Sequence, residues 1–122
     1  MSEYVRAEAM DNLWNMWLTE LNKHRAGLTL KVSRVLYSDF SNFQRIDVVD
    51  TEEYGKVLVL YGSIMITERD EFVYHEMISQ PALNVHPNPK EVLIIGGGDG
   101  GTLRDTLRHP QVERATMVEI DQ

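Results

Sequence analysis

A run of glycines with one acidic residue stands near position 100: Gly96-Gly97-Gly98-Asp99-Gly100-Gly101. Glycines that follow a strand and precede a helix allow a tight turn, and they let backbone N–H groups and the positive end of the helix approach a ligand. Glu119 stands 18 residues beyond Gly101, where an acidic side chain can accept hydrogen bonds from ribose hydroxyls. The pattern predicts a nucleotide site that includes Gly96, Gly98, Asp99 and Glu119; the alternative is a plain turn followed by a strand-ending acid.

The glycine pattern alone leaves the nucleotide open, because NAD-dependent enzymes and enzymes of S-adenosylmethionine derivatives share it. Asp99 favours the second class, since a carboxylate aimed at the pocket repels a pyrophosphate and attracts an amine or a sulfonium. A loop aspartate that bonds its own backbone is the alternative explanation.

The segments around the glycine loop predict the elements that hold it. Residues 92–95 form the continuous apolar run of a buried parallel strand, residues 102–108 a helix, and residues 115–120 a second strand. This is one βαβ unit of an α/β fold. Two parallel strands leave a sheet edge and a sheet face uncovered, so we expect the chain to be incomplete as a folding unit.

The first part of the chain predicts a different architecture. Residues 11–25 place five apolar side chains at helical spacing and predict a short helix or turn: Leu13, Trp14, Trp17, Leu18 and Leu21. From Leu28 onward apolar and polar residues alternate, which predicts an antiparallel meander of roughly five short strands.

A helix and a linker follow the predicted meander. Residues 68–83 place Phe72, Val73, Met77 and Ile78 on one helical face, and Pro81 is expected to limit the length of the helix. The acids and Arg69 at its start are expected to be a solvated, self-pairing run. The two prolines of 86–90 predict a linker, which divides the chain into domains 1–85 and 86–122.

Composition excludes several classes of function. The 122 residues carry a net charge of −7 and have a pI near 5.0, which argues against a nucleic-acid partner because phosphate binding needs clustered Lys and Arg. The absence of cysteine excludes disulfides, thiol catalysis and Cys-based zinc sites. No apolar run suits a membrane span or a signal peptide, so we expect no membrane partner and a cytoplasmic location.

Three segments taken together resemble the spermidine synthase family of polyamine aminopropyltransferases: TERDEFVYHEM at 67–77, HPNPKEVLIIGGGDGG at 86–101 and MVEID at 117–121. The resemblance implies a small N-terminal antiparallel β-domain followed by a Rossmann-like domain of the S-adenosylmethionine methyltransferase type. It implies homodimers or homotetramers that assemble through the N-terminal part. The implied reaction transfers an aminopropyl group from decarboxylated S-adenosylmethionine to putrescine, giving spermidine and methylthioadenosine, with no metal and no other cofactor.

The resemblance also assigns roles to single residues. Gln44 matches a glutamine that contacts the nucleoside, Glu119 the acid that binds ribose hydroxyls, and Asp99 the acid that holds the amine of the transferred group. Tyr74 and His75 match a pair at the polyamine and aminopropyl end. Trp17 matches an aromatic residue near the channel for the acceptor amine.

The sequence departs from the family pattern at three points. The catalytic general base, an aspartate in an Asp-Ser/Cys-Thr-Asp-Pro-like loop, has no counterpart in these 122 residues, so we expect the chain alone to be inactive. Tyr61 stands where the family has Asp in a Leu-Asp-Gly turn, and Met65 stands where a glutamine is usual. A diamine other than putrescine is therefore a second candidate acceptor.

Two other functions are consistent with the sequence. The chain could be a non-catalytic oligomerisation or interaction module, as its expected uncovered strand edge suggests. It could also belong to an NAD-dependent or methyl-transferring enzyme that shares the glycine loop.

Overall fold

The computed structural model describes residues 15–21 and 26–121 of the chain. They form two compact units, which divide between Glu68 and Arg69. This division lies earlier than the domain boundary at 85/86 that the linker predicts, because the helix before the linker packs against the helix that follows the glycine loop. In the described part of the chain, no helix is long and apolar enough to cross a membrane.

The described residues of the first unit form one antiparallel sheet whose strands lie side by side in chain order. The predicted meander is therefore confirmed. Its strands are β1 (Met16–Leu21), β2 (Gly27–Phe40), β3 (Arg45–Thr51), β4 (Gly55–Leu60) and β5 (Ser63–Thr67).

Strand β1 corrects the sequence-based expectation of a helix or turn over residues 11–25. Residues 16–21 pair with β2, with Trp17 opposite Lys31 and Leu18 opposite Leu30. Cross-strand pairing satisfies the backbone and lets Leu18 pack against the core of the sheet, which outweighs a local helical spacing. Residues 11–14 and 22–25 lie outside the described residues.

The core of the first unit lies on one face of this sheet. Val57 and Val59 alternate along β4 and are almost fully buried, and Val49 on the neighbouring strand β3 packs with them. Leu30 and Val32 extend the same cluster onto β2. The alternation that predicted the strands thus also identifies the buried face.

Helix α1 spans Glu71–Val85 and begins the second unit. Pro81 lies inside this helix, so the expectation that proline limits the helix was wrong. A proline removes only its own N–H donor and the bond to the carbonyl four residues before it. The helix continues to Val85, and the N–H of His86 still bonds to the carbonyl of Ala82 at 3.0 Å.

The buried side of α1 also differs from the predicted apolar face. His75, Ser79 and Leu83, each four residues apart, are the buried positions, whereas the four predicted apolar residues are exposed: Phe72, Val73, Met77 and Ile78. The hydroxyl of Ser79 donates to the carbonyl of His75 at 2.7 Å, which lets a polar residue face the interior. Two of the three buried positions of this helix are thus polar.

A βαβ unit completes the second unit and agrees with the strand, helix and strand predicted from the sequence. It consists of β6 (Glu91–Ile95), α2 (Gly101–Leu107) and β7 (Arg114–Val118). Strands β6 and β7 are parallel, with Ile94 opposite Met117. The N–H of Gly96 continues the pairing by donating to the carbonyl of Val118 at 2.8 Å, which fixes where the glycine loop begins.

Candidate functional site

The glycine loop connects the end of β6 to the start of α2. Gly96 and Gly97 have φ values of 83° and 80°, in the left-handed region that residues with a Cβ rarely adopt. The N–H of Gly100 donates to the carbonyl of Gly97 at 2.9 Å and closes the turn. The loop therefore needs glycine for its backbone path.

Glu119, just beyond β7, holds the middle of this loop. Its Oε2 accepts from the N–H of Gly98 at 3.0 Å, and its Oε1 accepts from the N–H groups of Ile120 at 2.8 Å and Asp121 at 3.1 Å. These N–H groups, first that of Asp121 and then that of Ile120, keep the pKa of the Glu119 carboxyl below its usual range. Glu119 is therefore an anion, and Oε2, with one bond from the described residues, has an acceptor position left for a hydroxyl.

Asp99 lies over the start of α2. Its Oδ1 accepts from the N–H of Gly101 at 2.8 Å, so the aspartate does bond its own loop, as the alternative explanation expected. The same oxygen lies 2.9 Å from Nε2 of His75. Among the described residues both contacts fall on Oδ1, and the side chain keeps 20% of its surface exposed. Oδ2 is thus the atom with which Asp99 can bind a cation.

His75 is almost fully enclosed, with 1% of its surface exposed. Its ring lies against Gly101, where any Cβ would overlap it. Nδ1 contacts Oε2 of Glu71, one helical turn earlier in α1, while Nε2 faces Asp99 without the alignment of a hydrogen bond. His75 therefore connects α1 to the glycine loop through its contacts with Gly101 and Asp99.

Glu71 of α1 and Arg104 of α2 form a bidentate ion pair. Both guanidinium NH2 groups donate to the carboxylate, one to Oε1 and one to Oε2, each at 2.9 Å. The hydrogen bonds from Arg104 and then His75 lower the pKa of Glu71 to about 2, and Glu71 in turn raises the pKa of Arg104. Arg104 also contacts the buried Asp105 at 3.0 Å, which Arg108 contacts at 3.2 Å.

The side chain of Tyr74 lies in a different environment from that of His75. Its side chain is largely exposed, and its ring meets that of His75 edge-on, with centroids 5.4 Å apart and planes at 70°. The structure therefore brings Tyr74, His75, Asp99 and Glu119 into one unit around the glycine loop.

The remaining two predicted site residues lie in the first unit. Trp17 is exposed on β1 opposite Lys31, and Gln44 is half-buried in the turn that follows the end of β2 at Phe40. The structure does not bring these two together, since the stretch of β2 from Lys31 to Phe40 separates them.

Tyr61 lies close to the turn that carries Gln44. Its φ of 51° is unusual for a residue with a side chain. Its hydroxyl donates to the carbonyl of Phe43 at 3.0 Å, and its N–H donates to the carbonyl of Arg45 at 3.1 Å. Two bonds from Tyr61 thus hold the residues on either side of Gln44.

Comparison with known proteins identifies the family. The spermidine synthase tetramerisation domain matches residues 16–68, and the spermine/spermidine synthase domain matches residues 71–122. This chain belongs to the spermidine synthase family. The two matched regions meet between residues 68 and 71, where the two compact units divide.

Two relatives of this spermidine synthase family chain are polyamine aminopropyltransferases. The polyamine aminopropyltransferase of Shouchella clausii is 53% identical over 105 residues, which cover 86% of this chain and 38% of the relative. That of Methanocaldococcus jannaschii is 46% identical over 108 residues, covering 88% of this chain and 37% of the relative. The chain therefore spans less than two fifths of the length of these relatives.

Two solved spermidine synthase structures resemble the fold. One is the enzyme from Thermotoga maritima, with a TM-score of 0.84, 50% identity, and coverage of 87% of this chain and 38% of that one. The other is a spermidine synthase in complex with the transition-state analogue AdoDATO, with the same TM-score, identity and coverage of this chain, and 36% coverage of its own.

Sequence reasoning missed the ion pair between Glu71 and Arg104 in this spermidine synthase family member. Glu71 was expected to be solvated, but its side chain is 22% exposed and paired with Arg104. The spacing of four residues between Glu71 and His75 on one helix is the signal that could have linked those two. No local pattern connects Glu71 with Arg104, 33 residues away.

Proposed function

We propose that the full-length protein is a polyamine aminopropyltransferase that uses decarboxylated S-adenosylmethionine as donor. One observation carries the proposal: two of the segments that resemble the family meet in the second unit, where Asp99 of the glycine loop lies 2.9 Å from His75 of the YHEM segment. Both segments lie in the region that matches the spermine/spermidine synthase domain. The family membership and the relatives, which are polyamine aminopropyltransferases, support the same activity.

The donor would bind along the glycine loop. Glu119 would accept hydrogen bonds from the ribose hydroxyls, since its anionic carboxylate has acceptor capacity beside Gly98. The backbone at Gly96 and Gly98 would pass close to the nucleoside, and Oδ2 of Asp99 would pair with the primary ammonium of the aminopropyl arm. Gln44, from the first unit, is proposed to contact the nucleoside.

The acceptor amine would lie near Tyr74. An exposed aromatic face can shelter an ammonium or its alkyl chain through a cation–π contact, and Trp17 is proposed for the same task at the acceptor channel. Putrescine is the proposed acceptor, with another diamine as the alternative that Tyr61 and Met65 suggest. His75, which has almost no exposed surface, would act on the polyamine end through Asp99.

The chemistry is a displacement at carbon. The unprotonated nitrogen of the diamine attacks the methylene carbon bonded to the sulfonium, a C–N bond forms, and the C–S bond breaks with both electrons moving to sulfur. Methylthioadenosine leaves as a neutral thioether, and the new ammonium loses one proton to a general base. Holding two reactants in line can remove up to about 7–11 kcal/mol of a barrier, so positioning is the main task proposed for the site.

The larger organisation belongs to the same proposal. We propose that the βαβ unit of the second unit begins a Rossmann-like domain of the methyltransferase type, and that the general base comes from a part of the protein without counterpart in these 122 residues. The region that matches a tetramerisation domain would assemble the protein as a homodimer or homotetramer. A cytoplasmic location stays a prediction.

The test is turnover by the full-length protein. We expect labelled putrescine and decarboxylated S-adenosylmethionine to give spermidine and methylthioadenosine in equal amounts, measured by chromatography. A panel of longer and shorter diamines would identify the preferred acceptor. Absence of turnover with every diamine, in a protein that is folded, would overturn the proposal, and thermal shifts with NAD, S-adenosylmethionine and methylthioadenosine would then identify the ligand.

A further inference from the structure

The ion pair of Glu71 and Arg104 has no role in the proposed chemistry, although Glu71 contacts His75 of the candidate site. Glu71 is in the first turn of α1 and Arg104 is in α2, so their pair joins the two helices. Both hydrogen bonds of the pair are 2.9 Å long. Because the guanidinium is planar and binds both oxygens, it fixes the plane of the carboxylate as well as its position. A surface pair with one flexible contact would not impose this orientation.

The orientation of Glu71 is passed to His75. The same carboxylate oxygen that Arg104 binds, Oε2, contacts Nδ1 of His75. The ring cannot shift away from the loop freely, because it is enclosed and lies against Gly101. Its second nitrogen, Nε2, therefore stays directed at Asp99.

His75 lies against the same oxygen of Asp99 that the backbone of the glycine loop binds. His75 Nε2 and the N–H of Gly101 both approach Oδ1, at 2.9 Å and 2.8 Å. With Oδ1 bound by the Gly101 N–H and faced by His75 Nε2, Oδ2 is the oxygen left for a ligand.

We propose that Glu71 and Arg104 are positioning residues for the carboxylate of Asp99, acting through His75, and that they matter for ligands with an ammonium group at that end. The inference rests on the proposed function, in which Asp99 binds the amine of the donor's aminopropyl arm. It predicts that changes in this ion pair alter the affinities for two nucleosides to different extents. Decarboxylated S-adenosylmethionine carries the amine, and methylthioadenosine lacks it.

The experiment measures the affinity of the full-length protein for both nucleosides by calorimetry. Glu71→Gln keeps the shape of the side chain and loses its charge, and Arg104→Lys keeps the charge and loses the fork. For each variant we expect the Kd of decarboxylated S-adenosylmethionine to rise about 10-fold, as the loss of a well-placed charged hydrogen bond does, and the Kd of methylthioadenosine to change by less than about twofold. Arg108→Lys is the matched control, because Arg108 directly follows the last residue of the same helix and contacts Asp105.

The outcomes separate the inference from the proposed function. Equal weakening of both nucleosides in Glu71→Gln and Arg104→Lys would show a merely structural pair, and unchanged affinity for both would show no role; either result overturns the inference while the proposed function stands. Should the native protein bind neither nucleoside, the proposed function fails and the inference falls with it. Binding of methylthioadenosine also reports whether a variant is folded. A variant that fails to fold is recognised by the loss of this binding, and the inference is then tested with the other variant.

Discussion

Oε2 of Glu119 accepts a hydrogen bond from the backbone N–H of Gly98, with 3.0 Å between the two atoms. This bond joins the residue after β7 to the loop after β6, and it places the carboxylate so close that a Cβ on residue 98 would lie 3.0 Å from Cγ of Glu119. The glycine loop is therefore shaped both by its own backbone and by the strand beside it.

The first prediction concerns Glu119 as a ligand for ribose. In Glu119→Gln the amide cannot accept at both ends, so one of its N–H partners in the loop or after β7 loses its bond. We expect the Kd of methylthioadenosine for the full-length protein to rise about 10-fold. Glu113→Gln is the control, because Glu113 is an exposed residue just before β7 that pairs with Lys90. Equal affinities in the two variants would contradict the role of Glu119.

A second prediction compares alanine at two glycines. In Gly98→Ala the new Cβ lies 3.0 Å from Cγ of Glu119, a close contact without overlap, and we expect the unfolding free energy to fall by less than about 1 kcal/mol. In Gly101→Ala it overlaps the enclosed ring of His75, and we expect a loss of about 1–3 kcal/mol. Chemical denaturation, with hydrogen exchange at the Ile94 amide as a local probe, measures the difference. Equal losses would mean that the ring of His75 is not fixed against the loop.

A third prediction follows from the low pKa of Glu71. Its pKa is about 2 in the folded chain and near 4.5 when unpaired, so the folded state gains stability from the ionised carboxyl at every pH above about 4.5. This gain is lost as the pH falls from about 4.5 toward 2, because the unfolded chain binds the proton first. Urea unfolding at several pH values should therefore show a steeper acid loss in the native protein than in Glu71→Gln.

The control for this pH dependence is Glu76→Gln, which changes an exposed glutamate of the same helix. We expect it to keep the steep acid loss of the native protein. A profile for Glu71→Gln that runs parallel to the native one below pH 4.5 would show that the pair with Arg104 does not hold the proton off Glu71.

A fourth prediction concerns the core of the first unit. Val57 on β4 is completely buried, so Val57→Ala removes two methyl-sized groups and leaves a cavity. We expect the unfolding free energy to fall by about 2 kcal/mol, with faster hydrogen exchange at the Val49 amide. Val35→Ala, on the exposed part of β2, should cost less than about 0.5 kcal/mol. Similar losses for both variants would contradict the position of the core.

Much of the fold could be predicted because its signals are local. The apolar run before the glycines identified β6, and the alternation after Leu28 identified the meander. Strand β1 was missed because Trp17 and Leu18 also suit a helix, and only pairing with Lys31 and Leu30 decides for a strand. Pro81 was overinterpreted, since a helix held along its whole length tolerates the loss of one bond.

The site could be predicted only in part, for a related reason. The loop and Glu119 belong to one βαβ unit, so sequence order places them together. Glu71 and Arg104 come from different helices, and their pairing depends on how α1 packs against α2. The buried position of His75 was equally out of reach, because apolar neighbours in α1 predicted another buried face.

We propose that the glycine loop and Glu119 bind an adenosyl nucleoside whose sulfur end points toward Asp99. A crystal structure of the full-length protein with saturating methylthioadenosine tests it most directly. We predict the two ribose hydroxyls within hydrogen-bonding distance of the Glu119 carboxylate, and the thioether sulfur on the side of Asp99. A folded protein in which no nucleoside binds beside Glu119, or in which the nucleoside binds elsewhere, would rule out this binding site.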